Sequence, residues 1–143
     1  RITLYVVPVF EGRLVAFDVS AREARGRWLP FTVLDFAQNP YEAASMICDA
    51  WCQGQVSDLS LADVMSFVVE RGAWELAIVF RAELMAAPKA QPNREPFIFA
   101  PGQFDAIGAF DPVDLERWVT GSVQRPGLAP ERPAADSEPG MIF

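Results

Sequence analysis

Two segments of the chain carry helix-start signals, and strand-like segments lie on both sides of the first one. Asn39-Pro40 and Asp111-Pro112 each place a capping side chain before a proline at the first helical position. Residues 2–10 and 13–19 form two apolar arms around a Glu-Gly turn, which predicts a β-hairpin. Residues 73–84 have the pattern of a strong strand. Strands and helices are interleaved with hairpins, and few of the strands are joined by crossover helices. This order favours a mixed α/β sandwich over a doubly wound parallel sheet.

The first helix is predicted to run from Asn39 through about Gln53 and to end near Gly54. Its buried face is predicted from i, i+3, i+4, i+7 spacing, and its members are Ala44, Ile47, Cys48 and Trp51. Residues 61–70 are interpreted as strand or mixed structure. Residues 97–100 and 104–110 are each predicted to be strands.

Composition excludes several classes of function. The 143 residues contain no histidine, which removes imidazole bases and imidazole metal ligands, and the net charge is −7. With only 12 Lys and Arg in total, the sequence predicts no nucleic-acid partner. No run approaches the ~20 apolar residues that cross a bilayer, so no membrane association is expected. Cys48 and Cys52 are expected to be unpaired thiols, which favours the reducing cytoplasm.

The end of the chain differs from the rest. Residues 121–140 contain four prolines and little apolar material, and Met141, Ile142 and Phe143 follow. Such a segment cannot form a core of its own. The sequence therefore predicts a domain over residues 1–120 and a C-terminal arm or tail over residues 121–143. This segment would either be an arm that docks on its own domain or on a second copy, or a linker that docks on neither.

The junction before the first helix resembles that of the Nudix hydrolases, where W-x-L/F-P precedes a glycine pair, a later Gly-Glu and a glutamate-rich helix. Trp28 and Pro30 match this pattern, whereas Phe31-Thr32 stands at the glycine pair. The order of hairpin, Trp-containing loop, helix, long strand and terminal helix also matches, over about residues 2–119. The resemblance implies an α/β (α+β) fold, a Nudix-like α/β/α sandwich with a mixed sheet.

The resemblance also assigns the positions of the family's metal-binding residues. Ala37 and Gln38 replace the later Gly-Glu, and Met46 replaces the arginine of the helix. The three glutamate positions of the helix hold Ile47, Ala50 and Trp51. Mg²⁺ requires several oxygen ligands, commonly carboxylates, and these side chains supply none. The sequence therefore predicts no catalytic residue, no metal and no cofactor here.

Other side chains leave a ligand site open. The candidates are Arg22, Arg25, Arg27, Trp28, Asp35, Glu75 and Glu83. The arginines could hold a phosphate or a carboxylate, or they could serve solubility alone. The acids could form a relocated metal site, with Asp35 joined by Glu75 or Glu83, although single acids along strands are usually solvated or paired. Trp51 and Trp74 are interpreted as core or interface residues rather than stacking platforms.

Three functions follow as hypotheses. The leading one is a catalytically inactive Nudix-like domain used for protein interaction or assembly, with a protein partner or a second copy in a homodimer. The first alternative is binding of a nucleotide or similar metabolite in the former cleft without turnover. The second alternative is a divergent metal-dependent hydrolase of nucleoside diphosphate derivatives with relocated ligands.

Overall fold

The computed structural model describes residues 1–69 and 72–121, and in that part of the chain four strands precede the first α-helix and three more precede the second. The strands are β1 (Ile2–Phe10), β2 (Arg13–Val19), β3 (Gly26–Trp28), β4 (Phe31–Val33), β5 (Val56–Val68), β6 (Trp74–Leu84) and β7 (Arg94–Ile98). The helices are α1 (Pro40–Cys52) and α2 (Pro112–Thr120), and a short 3-10 turn covers Arg22–Ala24.

The strands form a mixed sheet in the order β3-β2-β1-β6-β5, with β4 paired to β1 and β7 paired to β2. At its centre β1 runs parallel to β6, from Ile2 beside Leu76 to Val9 beside Glu83. The other pairs are antiparallel. A parallel pair needs a long crossover, and α1 lies within the connection between these two strands.

Each face of the sheet is covered by one helix. On one face, α1 buries Ala44 and Cys48 against a cluster that includes Leu4, Val6 and Phe80. On the other face, the buried residues of α2 pack with those of the sheet, and this cluster includes Val7, Val79, Leu115 and Trp118. The result is an α/β/α sandwich with a mixed sheet, and the prediction of this fold class is confirmed.

The first helix begins and ends where the sequence predicts. The Asn39 side chain accepts hydrogen bonds from the Tyr41 and Glu42 amides at 2.8 and 3.1 Å. At the other end, Gln53 has a left-handed backbone and its amide bonds to the Cys48 carbonyl. The predicted inner stripe is confirmed, with Ala44 and Cys48 buried and the other two members half-buried against the core.

The second helix is tied to the sheet by polar contacts. Arg81 on β6 donates hydrogen bonds to the carbonyls of Trp118 and Val119, both at 3.0 Å. These carbonyls belong to the last turn of α2, where few backbone donors remain, and the Trp118 carbonyl also accepts from the Gly121 amide at 3.3 Å. Asp63 on β5 accepts a hydrogen bond from Trp118 at 3.1 Å and pairs with Arg117 at 3.0 Å.

One predicted strand is wrong. Residues 104–110 form turns, with a single bridge between Ile107 and Phe110 and a left-handed Gly108 between them. Their apolar side chains cap the α2-side core, where Ile107 and Phe110 are buried. The apolar spacing of residues 104–110 thus reflects the burial of their side chains, and no neighbouring strand in the described residues pairs with this segment. The 97–100 strand begins earlier, at Arg94, and β5 begins before the predicted residue 61.

Of the predicted C-terminal arm over 121–143, all but Gly121 lies outside the described residues. No helix in the described part of the chain is long and apolar enough to cross a bilayer.

Candidate functional site

The four α1 positions assigned by the Nudix resemblance lie in different surroundings. Met46 and Ala50 are exposed, whereas Ile47 and Trp51 are half-buried against the core on the α1 side of the sheet. The helix therefore presents alkyl and aromatic groups here. These four side chains offer no anionic oxygen to a metal ion.

Trp51 is the centre of an aromatic cluster, which consists of Phe17, Trp28, Phe31 and Trp51. Its ring meets Phe17 edge to face, with centroids 5.2 Å apart, and lies 6.2 Å from the Phe31 centroid. Phe31 in turn lies 5.2 Å from Trp28, whose indole N–H donates to the Ala24 carbonyl at 2.7 Å. Edge-to-face and offset rings at these distances attract each other beyond simple area burial. The aromatic cluster therefore fills the region beside α1 with packed rings.

Two arginines stack on aromatic rings, one beside this cluster and one on the α2 side of the sheet. The Arg94 guanidinium lies 4.1 Å from the centroid of the Trp51 ring. The Arg27 guanidinium lies 3.7 Å from the centroid of Phe97 and makes two hydrogen bonds to Asp18, at 2.7 and 3.1 Å. Hydrogen bonding to Arg27 holds the pKa of Asp18 below its ordinary value. Of the predicted arginines, Arg27 is thus already paired, while Arg22 and Arg25 are exposed.

The loop before α1 keeps a backbone shape that glycine favours. Ala37 has a φ of +63°, in the left-handed region that side chains other than glycine rarely adopt. It is the residue that replaces the later glycine of the Nudix pattern. Around it, the Asp35 amide donates to the Gln38 side chain and the Gln38 amide donates to the Asp35 carbonyl, both at 3.1 Å.

The acids proposed as relocated ligands, Asp35 with Glu75 or Glu83, are not gathered into a three-carboxylate site in the described residues. Glu75 and Glu83 lie on the same strand, eight positions and roughly 26 Å apart at the usual rise per residue. Glu83 pairs with Arg81 at 3.0 Å, and Asp35 is exposed in the loop before α1. Among residues 1–69 and 72–121, no group of three His, Cys, Asp or Glu side chains is placed to hold a metal ion. The donor set present does not fit Mg²⁺.

Glu75 is paired, as one of the two expectations for these acids has it, but it is not a surface charge, because it is 2% exposed. Its carboxylate accepts hydrogen bonds from the Tyr5 hydroxyl at 3.0 Å and from Arg1 at 3.3 Å. Burial and the neighbouring carboxylate raise the pKa of the Tyr5 hydroxyl far above its usual range. The hydroxyl therefore remains a donor, and Glu75 is held as a structural group.

Arg94 and Phe17 contribute to this site but were not among the predicted site residues. In the sequence, Arg94 lies at the end of a proline-rich polar stretch, and nothing nearby distinguishes it from a solvated loop residue. Phe17 lies in a strand whose apolar pattern predicts core alone. No local signal could have joined either of them to Trp51.

A shallow cavity of about 210 Å³ lies on the other flank of α1, between the helix and the start of β5. Tyr41, Asp49 and Asp58 are among its lining residues, and none of the four assigned α1 positions contributes. It is therefore separate from the aromatic cluster.

This arrangement, a mixed sheet between two helices with α1 entered through a Trp-containing loop, defines the Nudix fold. A MutT Nudix hydrolase from Burkholderia pseudomallei superimposes with a TM-score of 0.63 at 18% identity, over 81% of this chain and 95% of that one. The Nudix domain of Shewanella oneidensis NrtR, solved with ADP-ribose, gives 0.62 at 11% identity, over 84% and 86% of the two chains.

The Bacillus subtilis pyrophosphohydrolase BsRppH, solved as a mutant, gives a TM-score of 0.55 at 15% identity, over 83% of this chain and 75% of that one. No protein-family model matches the sequence, and no curated protein matches it either. The predicted resemblance is thus confirmed at the level of the fold.

Proposed function

We propose that this chain is a catalytically inactive Nudix-fold domain that serves as a protein-interaction or assembly module. The observation that carries the loss of hydrolysis is the α1 surface, where Ile47, Ala50 and Trp51 occupy the positions assigned to metal-binding glutamates. Trp51 is packed into the aromatic cluster, and a guanidinium rather than a carboxylate faces its ring. A divalent cation brought here would meet a positive charge and no oxygen ligand.

Product release from ADP-ribose and from nucleoside diphosphates, measured with Mg²⁺ and with a chelator, tests the inactivity. The expected result is no release above the buffer control in either condition. Steady turnover that a chelator abolishes would contradict the proposal.

Restoring glutamates one at a time tests whether the α1 surface is committed to packing. Ile47→Glu and Trp51→Glu are expected to destabilise the fold by about 1–4 kcal/mol, because each removes core contacts and brings a carboxylate against apolar groups. Ala50→Glu is the matched control, since Ala50 is exposed, and its stability is expected to stay within about 0.5 kcal/mol of the parent. The triple variant is expected to remain inactive because Phe31 and Thr32 still replace the glycine pair.

The assembly role is supported by an apolar surface on the α1 face of β5 that nothing in residues 1–69 and 72–121 covers. In the register with β6, Leu61 lies opposite Phe80 and Val64 opposite Ile78, so these side chains share the face that α1 covers further along. The helix leaves this part of β5 uncovered, and Leu61, Val64 and Val68 are 59%, 52% and 46% exposed. They carry no charge on a chain of net charge −7, so a second copy can approach them without direct repulsion.

The test is the mass in solution over a range of concentrations, by light scattering. The parent is expected to be a dimer, and Val64→Lys with Val68→Lys is expected to be a folded monomer whose melting temperature falls only by the contribution of the lost association. Val113→Lys on α2, at a residue that is 72% exposed, should leave the dimer intact. A parent that stays monomeric, or a dimer that survives the two β5 substitutions, rules out this surface.

The second candidate function is binding of a nucleotide-like ligand without turnover. It is favoured by the arginine stacked on Trp51 and by the NrtR Nudix domain of the same fold, which was solved with ADP-ribose. A ligand-induced rise in melting temperature without product release supports it.

A further inference from the structure

Arg94 reaches the α1 surface from a distant part of the sequence. It is the first residue of β7, where it lies opposite Val19 on β2. Its guanidinium lies across from α1, 4.1 Å from the centroid of Trp51. Trp51, the aromatic residue among the four assigned α1 positions, therefore lies beneath this cation.

The charge of Arg94 is not neutralised by any carboxylate in the described part of the chain. Within the described ranges, its guanidinium has no carboxylate within ion-pair distance and donates no hydrogen bond to another side chain or carbonyl. Arg27, which also stacks on a ring, is by contrast paired with Asp18. Partial burial lowers the pKa of Arg94 from its usual value, which reflects the lost hydration of its charge. A partly desolvated guanidinium with five donors is a strong site for an oxyanion.

The electrostatics of this surface are therefore the reverse of those that a metal requires. A carboxylate cluster binds a diphosphate only through a divalent cation that reverses the local charge. Here a fixed positive group already lies over Trp51, and it can bind oxyanions directly.

We propose that Arg94, stacked on Trp51, replaces the metal ion and binds the diphosphate group of a nucleotide-type ligand without any divalent cation. The guanidinium donates two parallel hydrogen bonds to phosphate oxygens, and Trp51 fixes its plane. The half-buried rings of Trp28 and Phe31 continue from Trp51 and provide apolar surface for the rest of the ligand. This inference rests on the second candidate function and names its binding group and ligand class.

The experiment measures binding of ADP-ribose and of inorganic pyrophosphate by calorimetry, in a chelator and again in excess Mg²⁺. Binding in the chelator is expected for both probes, and Mg²⁺ is expected not to strengthen it. Arg94→Gln should weaken both by at least about tenfold, and Arg94→Lys should restore part of the loss, because a lysine keeps the charge but not the bidentate geometry. Arg13→Gln, at a partly exposed arginine of β2 that belongs to no predicted site, is the matched control and should change affinity less than about threefold.

Binding that requires Mg²⁺, equal binding by the parent and by Arg94→Gln, or no binding in the chelator overturns the proposal. Melting temperatures of the variants separate lost binding from lost folding. Product release in the same samples tests inactivity separately, because turnover with Mg²⁺ contradicts the proposed loss of hydrolysis. Whether binding in the chelator depends on Arg94 is decided by the calorimetry alone, whatever the result for product release.

Discussion

Glu75 is a carboxylate inside the molecule, and the Tyr5 hydroxyl is its most deeply placed donor. Arg1 also contacts it, but the Arg1 side chain is 60% exposed and is hydrated as well as paired. An exposed ion pair adds little stability, whereas a hydrogen bond to a buried charge adds more. At the scale of single residues, the stability of this region therefore depends on one phenol.

Tyr5→Phe is expected to lower the free energy of unfolding by about 1.5–3 kcal/mol, because it leaves one buried carboxylate oxygen without its donor. Urea titration measures this change. Tyr41→Phe is the matched control, since Tyr41 is 54% exposed, and it should change stability by less than about 0.5 kcal/mol. Equal effects of the two substitutions would show that the Tyr5–Glu75 bond contributes nothing.

Ala37 provides a second test at this scale. Its φ of +63° costs about 1–2 kcal/mol relative to glycine, and the greater freedom of glycine in the unfolded chain offsets about 0.4–1 kcal/mol of that. Ala37→Gly should therefore stabilise the protein by up to about 1.6 kcal/mol in thermal melts.

The reverse change at Gly12 is the control for Ala37. Gly12 has a φ of +76° and no atom within 4 Å of an added Cβ, so Gly12→Ala should destabilise through backbone strain alone. If Ala37→Gly lowers the melting temperature, the left-handed backbone at this position is not a source of strain.

At the scale of elements, the sequence predicted what depends on local patterns. The hairpin, both helices and β6 follow from capping residues, turn residues and apolar spacing, which act within a few positions. The 104–110 segment was wrongly predicted to be a strand because apolar spacing reports burial and cannot report whether a pairing partner exists. The contact of Arg94 with Trp51 was not predicted because it depends on how β7 packs beside α1, which no local pattern encodes.

The two buried thiols on the inner face of α1 are expected to make the free energy of unfolding depend on pH. Burial raises the pKa of Cys48 to about 11 and that of Cys52 to about 12, from an ordinary value of 9.0. Folding thus favours the protonated thiols, and their contribution to stability is complete below pH 9 and is lost progressively as the pH rises toward 11. The free energy of unfolding should fall more steeply over this interval for the parent than for Cys48→Ala with Cys52→Ala.

Thiol titration at neutral pH checks the same burial. Both cysteines are buried and unpaired, so two thiols should react in denaturant and none quickly in the native protein. Parallel pH profiles of the parent and the double variant, or fast reaction of native thiols, would contradict the assignment.

At the scale of the whole molecule, the predicted C-terminal arm gives the remaining test. Residues 122–143 end in Met141, Ile142 and Phe143, and burying each large apolar side chain contributes roughly 1.5–3 kcal/mol. Truncation after Gly121 is expected to lower the melting temperature or to reduce the mass in solution. A truncated protein with the same melting temperature and the same mass would show that this segment is only a linker.

The parallel pairing of β1 with β6 also has a consequence for biosynthesis. Ile2 on β1 pairs with Leu76 on β6, so β1 leaves the ribosome long before β6 is synthesised. At about 5–20 residues per second, that interval lasts roughly 4–15 s. During this interval, the edge of β1 that later pairs with β6 has no partner for its backbone groups. Unpaired strand edges of this kind favour aggregation and are protected by chaperones. Refolding after dilution from denaturant should be correspondingly slow for a chain of this size.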